Sequence, residues 1–196
     1  MILLPHQERI LRDPAPRKVI SAGRRTGKST MIALDAVERA IRNPGFKGLI
    51  LCPTTSMKDD MVRLLLKAAE GWDFSISNME NLHFDNDATI RVRTANANCT
   101  IGLELDKIWM EEPDLFKEPM GTINACQTSV DSHPDKQLLI LGTPINKPSV
   151  FRTLWLRGFL VTMLPVWTIP GWTKELEDQL TVTAGSIFAH EFLGAF

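Results

Sequence analysis

The sequence is poor in cysteine and has no long apolar run. Its three cysteines, Cys52, Cys99 and Cys126, lie far apart and match no metal-ligand spacing, which favours reduced thiols in a cytosolic setting. No segment reaches the roughly 18 apolar residues that a membrane span needs, and residues 1–4 lead directly into Pro5 rather than into a signal peptide. We therefore expect no membrane association.

An excess of charge of either sign is also lacking. The 22 basic and 23 acidic residues give a formal net charge of −1, so composition gives no sign of a nucleic-acid partner, and any DNA contact would have to be a local patch. There is neither an internal repeat nor a low-complexity tract. A length of 196 residues with 44% apolar content is typical of one soluble domain with a substantial core, and we predict a single domain over residues 1–196.

The most informative stretch is the segment 22–30, which fits the phosphate-binding loop pattern with alanine in place of the usual first glycine. A β-prone run, 18–21, precedes it, and helical periodicity over 31–41 follows it. The order is therefore strand, glycine loop and helix; the alternative is a plain glycine turn between a strand and a helix. The predicted nucleotide-binding residues of this loop are Ala22, Gly23, Arg24, Arg25, Thr26, Gly27, Lys28, Ser29 and Thr30.

Such a loop has a defined chemistry. Its backbone N–H groups and the helix N-terminus point at phosphate oxygens, and the helix dipole favours their negative charge. Lys28 would reach the β- and γ-phosphates, and the Ser29 hydroxyl would hold Mg²⁺. The cofactors predicted from the loop are therefore ATP and Mg²⁺.

The other apolar segments predict a doubly wound α/β fold with a mostly parallel sheet and flanking helices, that is, a RecA-like P-loop NTPase. The short runs 47–52, 107–111 and 137–142 are typical of buried parallel strands. Ligands in such sheets lie at the carboxyl ends of the strands. Further predicted helices cover 4–11, 57–69, 116–130 and 149–157, a strand covers 159–164, and two closing segments, 173–180 and 184–196, are joined by 181–183.

A small hairpin is predicted over residues 82–93, where Ile90 and Val92 alternate with Arg91 and Arg93. The two arginines would share the polar face. A solvated face is the ordinary interpretation, and a contact with a phosphate or a partner subunit is the alternative.

Two adjacent acids end the strand 107–111. In nucleotide hydrolases the first acid, here Glu111, would assist Mg²⁺, and the second, Glu112, would polarise the attacking water. Adjacent residues on an extended strand face opposite ways, so the two roles require the chain to turn at this point. The alternative is a surface acid pair at a strand end before Pro113.

Two further residues have weaker signals. Gln7 precedes the loop lysine by some 20 residues, and its amide has both a donor and an acceptor for the edge of adenine; the alternative is a solvated N-terminal glutamine. Thr143 follows the apolar strand 137–142, where its hydroxyl would sense the γ-phosphate and couple hydrolysis to motion. Thr-Pro at a strand end is also ordinary turn chemistry.

Together these elements resemble the ATPase domain of the large terminase subunit, the DNA-packaging motor of tailed phages. Segment 4–7 looks like the family's adenine-recognition segment, and 22–30 is similar to its arginine-containing phosphate loop. Segment 107–113 has the Ile-Trp-x-Glu-Glu form of its acidic motif, 139–144 matches its coupling motif, and 190–196 is similar to the end of its ATPase region.

The resemblance implies further properties. Arg24 would engage the γ-phosphate, and the subunits would form a ring on the capsid portal that moves double-stranded DNA with a small terminase subunit as partner. We expect a monomer when isolated and a location in the host cytoplasm, transiently at the portal of the procapsid. A nuclease domain follows in the family, whereas this chain has no later carboxylate cluster, so either the chain is truncated or the motor has no nuclease.

One departure concerns the arginine that acts on a neighbour's ATP. Many relatives carry it just before the glycine that matches Gly102, where this chain has 98–101, Asn-Cys-Thr-Ile. The candidates for that role are Arg91, Arg93, Arg152 and Arg157. If a neighbour supplies this arginine, the isolated chain should hydrolyse ATP slowly.

Three alternatives remain open at this point. The first lobe of a helicase shares these signatures but needs a second motor lobe, which 196 residues do not hold. A nucleotide-binding assembly module would bind ATP with little turnover. A small-molecule kinase has no need of a water-polarising glutamate beside the metal acid.

Overall fold

One eight-stranded sheet organises the chain. The computed structural model describes residues 2–131, 133–145, 148–165 and 172–184. The strands are β1 (Arg17–Ala22), β2 (Lys47–Cys52), β3 (Phe74–Ser77), β4 (Asn81–Phe84), β5 (Thr89–Thr94), β6 (Lys107–Glu111), β7 (Gln137–Gly142) and β8 (Val161–Leu164). The helices are α1 (Pro5–Arg12), α2 (Lys28–Arg42), α3 (Thr55–Ala68), α4 (Pro119–Asp131), α5 (Val150–Leu156) and α6 (Lys174–Ala184), with a short 3-10 turn at Pro113–Leu115.

The strand order is β3-β4-β5-β2-β6-β7-β1-β8. The neighbouring strands in the run β5-β2-β6-β7-β1-β8 pair in parallel, whereas β3–β4 and β4–β5 are antiparallel. Because parallel strands need crossover connections, helices cover both faces of the sheet. The predicted doubly wound α/β fold with a small hairpin is therefore confirmed.

Each face of the sheet buries its own apolar cluster. On one face α2 and α3 contribute Met31, Ile32 and Leu65, which pack with Ile50 and Trp109. A second cluster, on the other face, includes Ile123 of α4 and Phe151 of α5. Burial on both faces explains why the central strands are continuous apolar runs: every residue of β6 is buried.

A buried ion pair joins α2 to the amino end of β6. Lys107 is 2% exposed, and its Nζ lies 2.7 Å from Asp35 Oδ2, which also accepts a hydrogen bond from Trp109 Nε1 at 2.8 Å. Arg39 Nε donates to Asp35 Oδ1 at 2.9 Å. Burial lowers the pKa of Lys107 to about 8, although the Asp35 carboxylate opposes that shift. The network satisfies both buried charges.

The element predictions hold with three corrections. The strand β3 lies in a stretch for which no separate strand was predicted, because it is only four residues long and two of them are exposed. Residues 181–183 are helical within α6 and do not separate two segments. Helix α4 begins at Pro119, after the 3-10 turn. Beyond Ala184, the segment predicted over 184–196 and the family resemblance at 190–196 lie outside the described residues.

None of the helices within the described ranges combines the length and the apolar run that a membrane crossing requires.

Candidate nucleotide site

The main predicted site residues lie at the carboxyl ends of the central strands. Strands β2, β6, β7 and β1 are neighbours in that order and run parallel. Their carboxyl ends therefore meet, and bring together Cys52, the acidic pair, Thr143 and the loop that follows Ala22. This is the position at which open α/β sheets bind ligands.

The predicted phosphate loop, residues 22–30, has two residues with positive φ, Arg25 at 63° and Gly27 at 77°. Thr26 is buried, and its hydroxyl donates to Gly23 O at 2.9 Å, which closes the loop on itself. Gly27 is the N-cap of α2, and its carbonyl accepts from Met31 N at 2.9 Å. The φ of Gly27 favours glycine at this position, and a Cβ there would lie 2.5 Å from Gln7 Nε2, so the Gln7 side chain would have to shift.

Lys28 begins α2 and is only 8% exposed. Its Nζ donates to Gly23 O at 3.0 Å and to Thr143 Oγ1 at 2.9 Å, and it lies 3.2 Å from Glu112 Oε1. Residues 28, 112 and 143 are thus in direct contact although they are far apart in sequence.

Ser29 and Glu111 are also in contact. The Ser29 hydroxyl donates to Glu111 Oε1, and the Cys52 thiol donates to Glu111 Oε2 at 3.6 Å. Burial raises the pKa of Glu111, which is 3% exposed. Burial and the adjacent Glu111 also raise the pKa of the Cys52 thiol, so this cysteine acts here as a hydrogen-bond donor.

Glu112 turns away from the strand. Its φ of 51° and ψ of 56° are left-handed, and it precedes the 3-10 turn. Thr143 N donates to Glu112 Oε2 at 2.6 Å, and Thr143 Oγ1 lies 3.4 Å from Oε1. The turn thus directs Glu111 toward Ser29 and Glu112 toward Lys28, which is the divergence that two separate roles require.

Gly142 makes room for this turn. A Cβ at Gly142 would lie 2.8 Å from both Cα and Oε2 of Glu112 and 3.0 Å from Pro113 Cδ. Since one of these atoms is backbone, a larger residue would displace the turn itself.

The donor set fits Mg²⁺. Ser29 and Glu111 supply a hydroxyl and a carboxylate oxygen, the hard ligands that this ion prefers. Within the described ranges, no group of three or more His, Cys, Asp or Glu side chains is arranged to hold a metal.

Gln7 is buried, with 2% exposed, and its amide contacts the phosphate loop. Nε2 donates to Thr26 O at 3.1 Å and to Gly27 O at 3.3 Å, while Oε1 accepts from Leu4 N at 2.8 Å. Both ends of the amide are therefore bonded within the chain. Pairing with adenine would require these bonds to rearrange, and the adenine role stays a prediction.

The remaining predicted residues are distributed as follows. Ala22 and Gly23 are buried, Thr30 is half-buried, and Arg24 and Arg25 are exposed. Of the candidates for action on a neighbour, Arg91 and Arg93 are half-buried on β5, with β2, β6 and β7 between that strand and β1, and Arg152 and Arg157 are exposed on or beside α5.

Sequence reasoning missed two residues of the site. Cys52 ends an apolar strand, and no motif marks it. Asp114 is 3% exposed and accepts hydrogen bonds from Val150 N at 2.6 Å and Ile145 N at 2.8 Å. Its position directly after the acidic pair and Pro113 was the one available signal.

No model of a known protein family matches this chain, and no curated protein matches it either. Among solved structures, the large terminase ATPase domain of Thermus phage P74-26 has a TM-score of 0.73 at 20% identity, over 97% of this chain and 92% of that one. The fold is that of a phage large terminase ATPase domain.

Two longer large terminases share the fold. The protein from bacteriophage HK97 has a TM-score of 0.75 at 14% identity, over 99% of this chain and 50% of that one. The large terminase of a thermophilic bacteriophage, in complex with ATP-gamma-S, has a TM-score of 0.72 at 15% identity, over 100% of this chain and 53% of that one. The chain thus spans about half the length of these two large terminases.

Proposed function

We propose that this chain is the ATPase domain of a DNA-packaging motor, which hydrolyses Mg²⁺–ATP and uses the energy to move double-stranded DNA into a viral procapsid. The observation that carries the proposal is the convergence of Lys28, Glu112 and Thr143, at 3.2 Å and 2.9 Å from the lysine Nζ. The likeness to a large terminase ATPase domain supports a motor that packages DNA.

The residues have separate roles in this mechanism. The backbone N–H groups of loop 23–28 and the start of α2 bind the phosphates, where the helix dipole favours negative charge. Lys28 leaves its present acceptors for the β- and γ-phosphate oxygens, and the exposed Arg24 stabilises charge on the γ-phosphate. Ser29 and Glu111 would hold Mg²⁺, which neutralises phosphate charge when bound.

Glu112 activates water in this proposal. Once a phosphate takes Lys28, the Glu112 carboxylate keeps its bond from Thr143 N and gains a free oxygen that can accept a proton from water. Because Thr143 touches both Lys28 and Glu112, its hydrogen bonds differ before and after cleavage, and this difference couples hydrolysis to motion.

The assembled motor would be a ring at the portal of a procapsid in the host cytoplasm, with DNA, the portal protein and a small terminase subunit as partners. A neighbouring subunit would complete each site with an arginine. An isolated monomer would therefore hydrolyse ATP slowly, since a charge-stabilising arginine contributes about 10³–10⁵ in rate.

The decisive test is ATP hydrolysis by the chain and by Glu112→Gln, each with a titration of nucleotide binding. We expect hydrolysis to fall by about 10²–10⁴ with binding retained, because a general base is lost while the phosphate loop is intact. Glu118→Gln makes the same charge change at a nearby exposed residue and should leave the rate unaltered.

Other outcomes favour other functions. Wild-type protein that binds ATP but stays inert at all protein concentrations, with and without DNA and portal, would favour an assembly module. Fast ATP hydrolysis that does not depend on protein concentration, in a demonstrated monomer, would contradict the proposal that a neighbouring subunit supplies an arginine to each site.

A further inference from the structure

The buried carboxylate of Asp114 joins the turn after β6 to the segment after β7. Its Oδ1 accepts from Val150 N, the first residue of α5, and its Oδ2 accepts from Ile145 N in the preceding loop. The bonds are 2.6 Å and 2.8 Å long. They are charge-assisted and buried, and therefore stronger than ordinary surface hydrogen bonds.

The turn that carries Asp114 is closed by its own hydrogen bonds. Leu115 N donates to Glu112 O at 3.0 Å, and Phe116 N donates to Pro113 O at 3.1 Å. Pro113 further restricts the backbone because its ring fixes φ. Glu112 and Asp114 therefore belong to one hydrogen-bonded turn of the backbone.

The loop after β7 is attached to this turn at both of its ends. Thr143 N binds the Glu112 carboxylate at the start of the loop, and Val150 N binds Asp114 at its end. Helix α5 begins at that end, and its inner face packs in the core, where Phe151 and Leu154 are both 0% exposed. Its outer face is exposed, with Trp155 at 56% and Leu156 at 69%.

We propose that Asp114 is a positioning residue that transmits the state of the nucleotide site from Glu112 to helix α5. The inference rests on the proposed function, since binding of Mg²⁺–ATP is what changes the contacts of Glu112. A nucleotide that takes Lys28 from Glu112 and Thr143 shifts the turn, and the Asp114 carboxylate carries the shift through Val150 N to the first turn of α5 and through Ile145 N to the loop before it.

The test is hydrogen–deuterium exchange of residues 150–156, with and without Mg²⁺ and ATP-gamma-S. Wild-type protein should show a nucleotide-dependent change of exchange in α5. In Asp114→Asn the side-chain NH₂ replaces one carboxylate oxygen and cannot accept from a backbone N–H, so the bond from Val150 N or the bond from Ile145 N is lost. The nucleotide-dependent change of exchange in α5 should then fall to less than about one third of the wild-type change, with the nucleotide Kd within about threefold.

A second variant changes the donor and leaves Asp114 in place. Val150→Pro removes the N–H that binds Oδ1, and proline is well tolerated at the first position of a helix. Ser149, which precedes it, has φ −74° and ψ 157°, a conformation that a following proline accepts. This variant should lose the α5 response even if Asp114→Asn fails to fold.

Asp106→Asn is the matched control. Asp106 also accepts a hydrogen bond from a backbone N–H, that of Lys47 at 2.7 Å, but it lies at the amino end of β6, away from the candidate site. The control should keep the full nucleotide response of α5.

The outcomes separate the two proposals. An undiminished response of α5 in Asp114→Asn or Val150→Pro, or a wild-type α5 that does not respond to bound nucleotide, would overturn the role of Asp114 alone. Failure of wild-type protein to bind ATP-gamma-S would overturn the proposed function and this inference with it.

Discussion

A buried lysine lies beside a carboxylate at each end of strand β6, and the two pairs differ in what the lysine can do. At the amino end, Lys107 and Asp35 belong to a network in which Trp109 and Arg39 supply the remaining donors. Every polar atom of the Asp35 carboxylate is engaged by a group that has no other task. Such a network is fixed, and its contribution is to the fold.

At the carboxyl end, the acceptors of Lys28 are groups to which the proposed mechanism gives other tasks. They are the Gly23 carbonyl of the phosphate loop, the Thr143 hydroxyl and the Glu112 carboxylate. These contacts hold the ammonium group in place without a nucleotide and can be exchanged for phosphate oxygens. Burial of a charge therefore does not identify a functional site; the identity of its partners does.

The largest expected effect is on stability, at the amino end. Lys107→Met fills a similar volume but leaves the Asp35 carboxylate without its closest charge, and we expect a loss of about 3–5 kcal/mol in the free energy of unfolding, measured with urea. Lys47→Met, which removes the exposed pair with Glu104, is the control and should have no resolvable effect. Equal stability of the two variants would contradict the comparison.

The corresponding change at the carboxyl end should act on catalysis. Lys28→Met removes the cation from the phosphates, and hydrolysis should fall by about 10²–10³. Stability should suffer less than in Lys107→Met, because Glu112 is 15% exposed and keeps its bond from Thr143 N. Urea unfolding and steady-state hydrolysis of the same preparation check both parts, and hydrolysis near the wild-type rate would refute the assignment of the loop.

A smaller effect is expected in acid. Burial alone would raise the pKa of Asp35, but the charges of Lys107 and Arg39 together outweigh it and lower that pKa. A carboxyl whose folded pKa is lowered contributes stability that is present above its unfolded pKa, near 4, and is lost as pH falls through the folded value. Asp35→Asn should therefore lose this acid-dependent part of the unfolding free energy. The same dependence of unfolding free energy on pH in both proteins, between about pH 5 and about pH 2, would contradict the lowered pKa of Asp35.

A still smaller effect is expected where β7 approaches the acidic turn. Gly142→Ala places a Cβ 2.8 Å from Glu112 Cα, which must move, and we expect hydrolysis to fall by about tenfold. Gly121→Ala, within α4, is the control, since its Cβ would be 3.7 Å from the nearest atom, Glu118 Oε2, and alanine favours helix. Full activity of Gly142→Ala would show that the position of Glu112 is less constrained than the contact implies.

The smallest effect concerns Cys52. Its thiol donates to Glu111 and would remain the donor if Ser29 holds Mg²⁺ as proposed, so Cys52→Ala should raise the Mg²⁺ concentration for half-maximal hydrolysis by about threefold. Cys52→Ser restores a donor and should recover part of the loss. Cys126→Ala, at an equally buried cysteine of the other cluster, should leave the Mg²⁺ dependence unchanged.

Local pattern was sufficient to predict the central strands of the sheet and to nominate the strand ends that carry the candidate site. Apolar runs and turn residues defined the central strands, and the glycine loop and acid pair defined two strand ends that a doubly wound sheet must bring to one edge. The contacts of Lys28 with Glu112 and of Ser29 with Glu111 agree with that expectation.

Long-range polar partners could not be predicted in the same way. Asp35 and Lys107 are each ordinary helix and strand-end residues in sequence, and only the packing of α2 on β6 makes them a pair. Asp114 and Cys52 likewise bind partners that are distant in sequence, the backbone N–H groups of residues 145 and 150 and the carboxylate of Glu111. The amide of Gln7, whose adenine role stays a prediction, donates to the carbonyls of Thr26 and Gly27, and no local pattern predicts that contact between α1 and the loop.

The left-handed backbone of Glu112 has a consequence for protein engineering. A non-glycine residue in this conformation costs of order 1 kcal/mol, and the strain would disappear in Glu112→Gly. The same substitution would remove the carboxylate that Lys28 Nζ and Thr143 N contact, and buried groups left without a partner cost more than the relieved strain. Selection for heat tolerance should therefore retain glutamate at this codon in spite of its strained backbone.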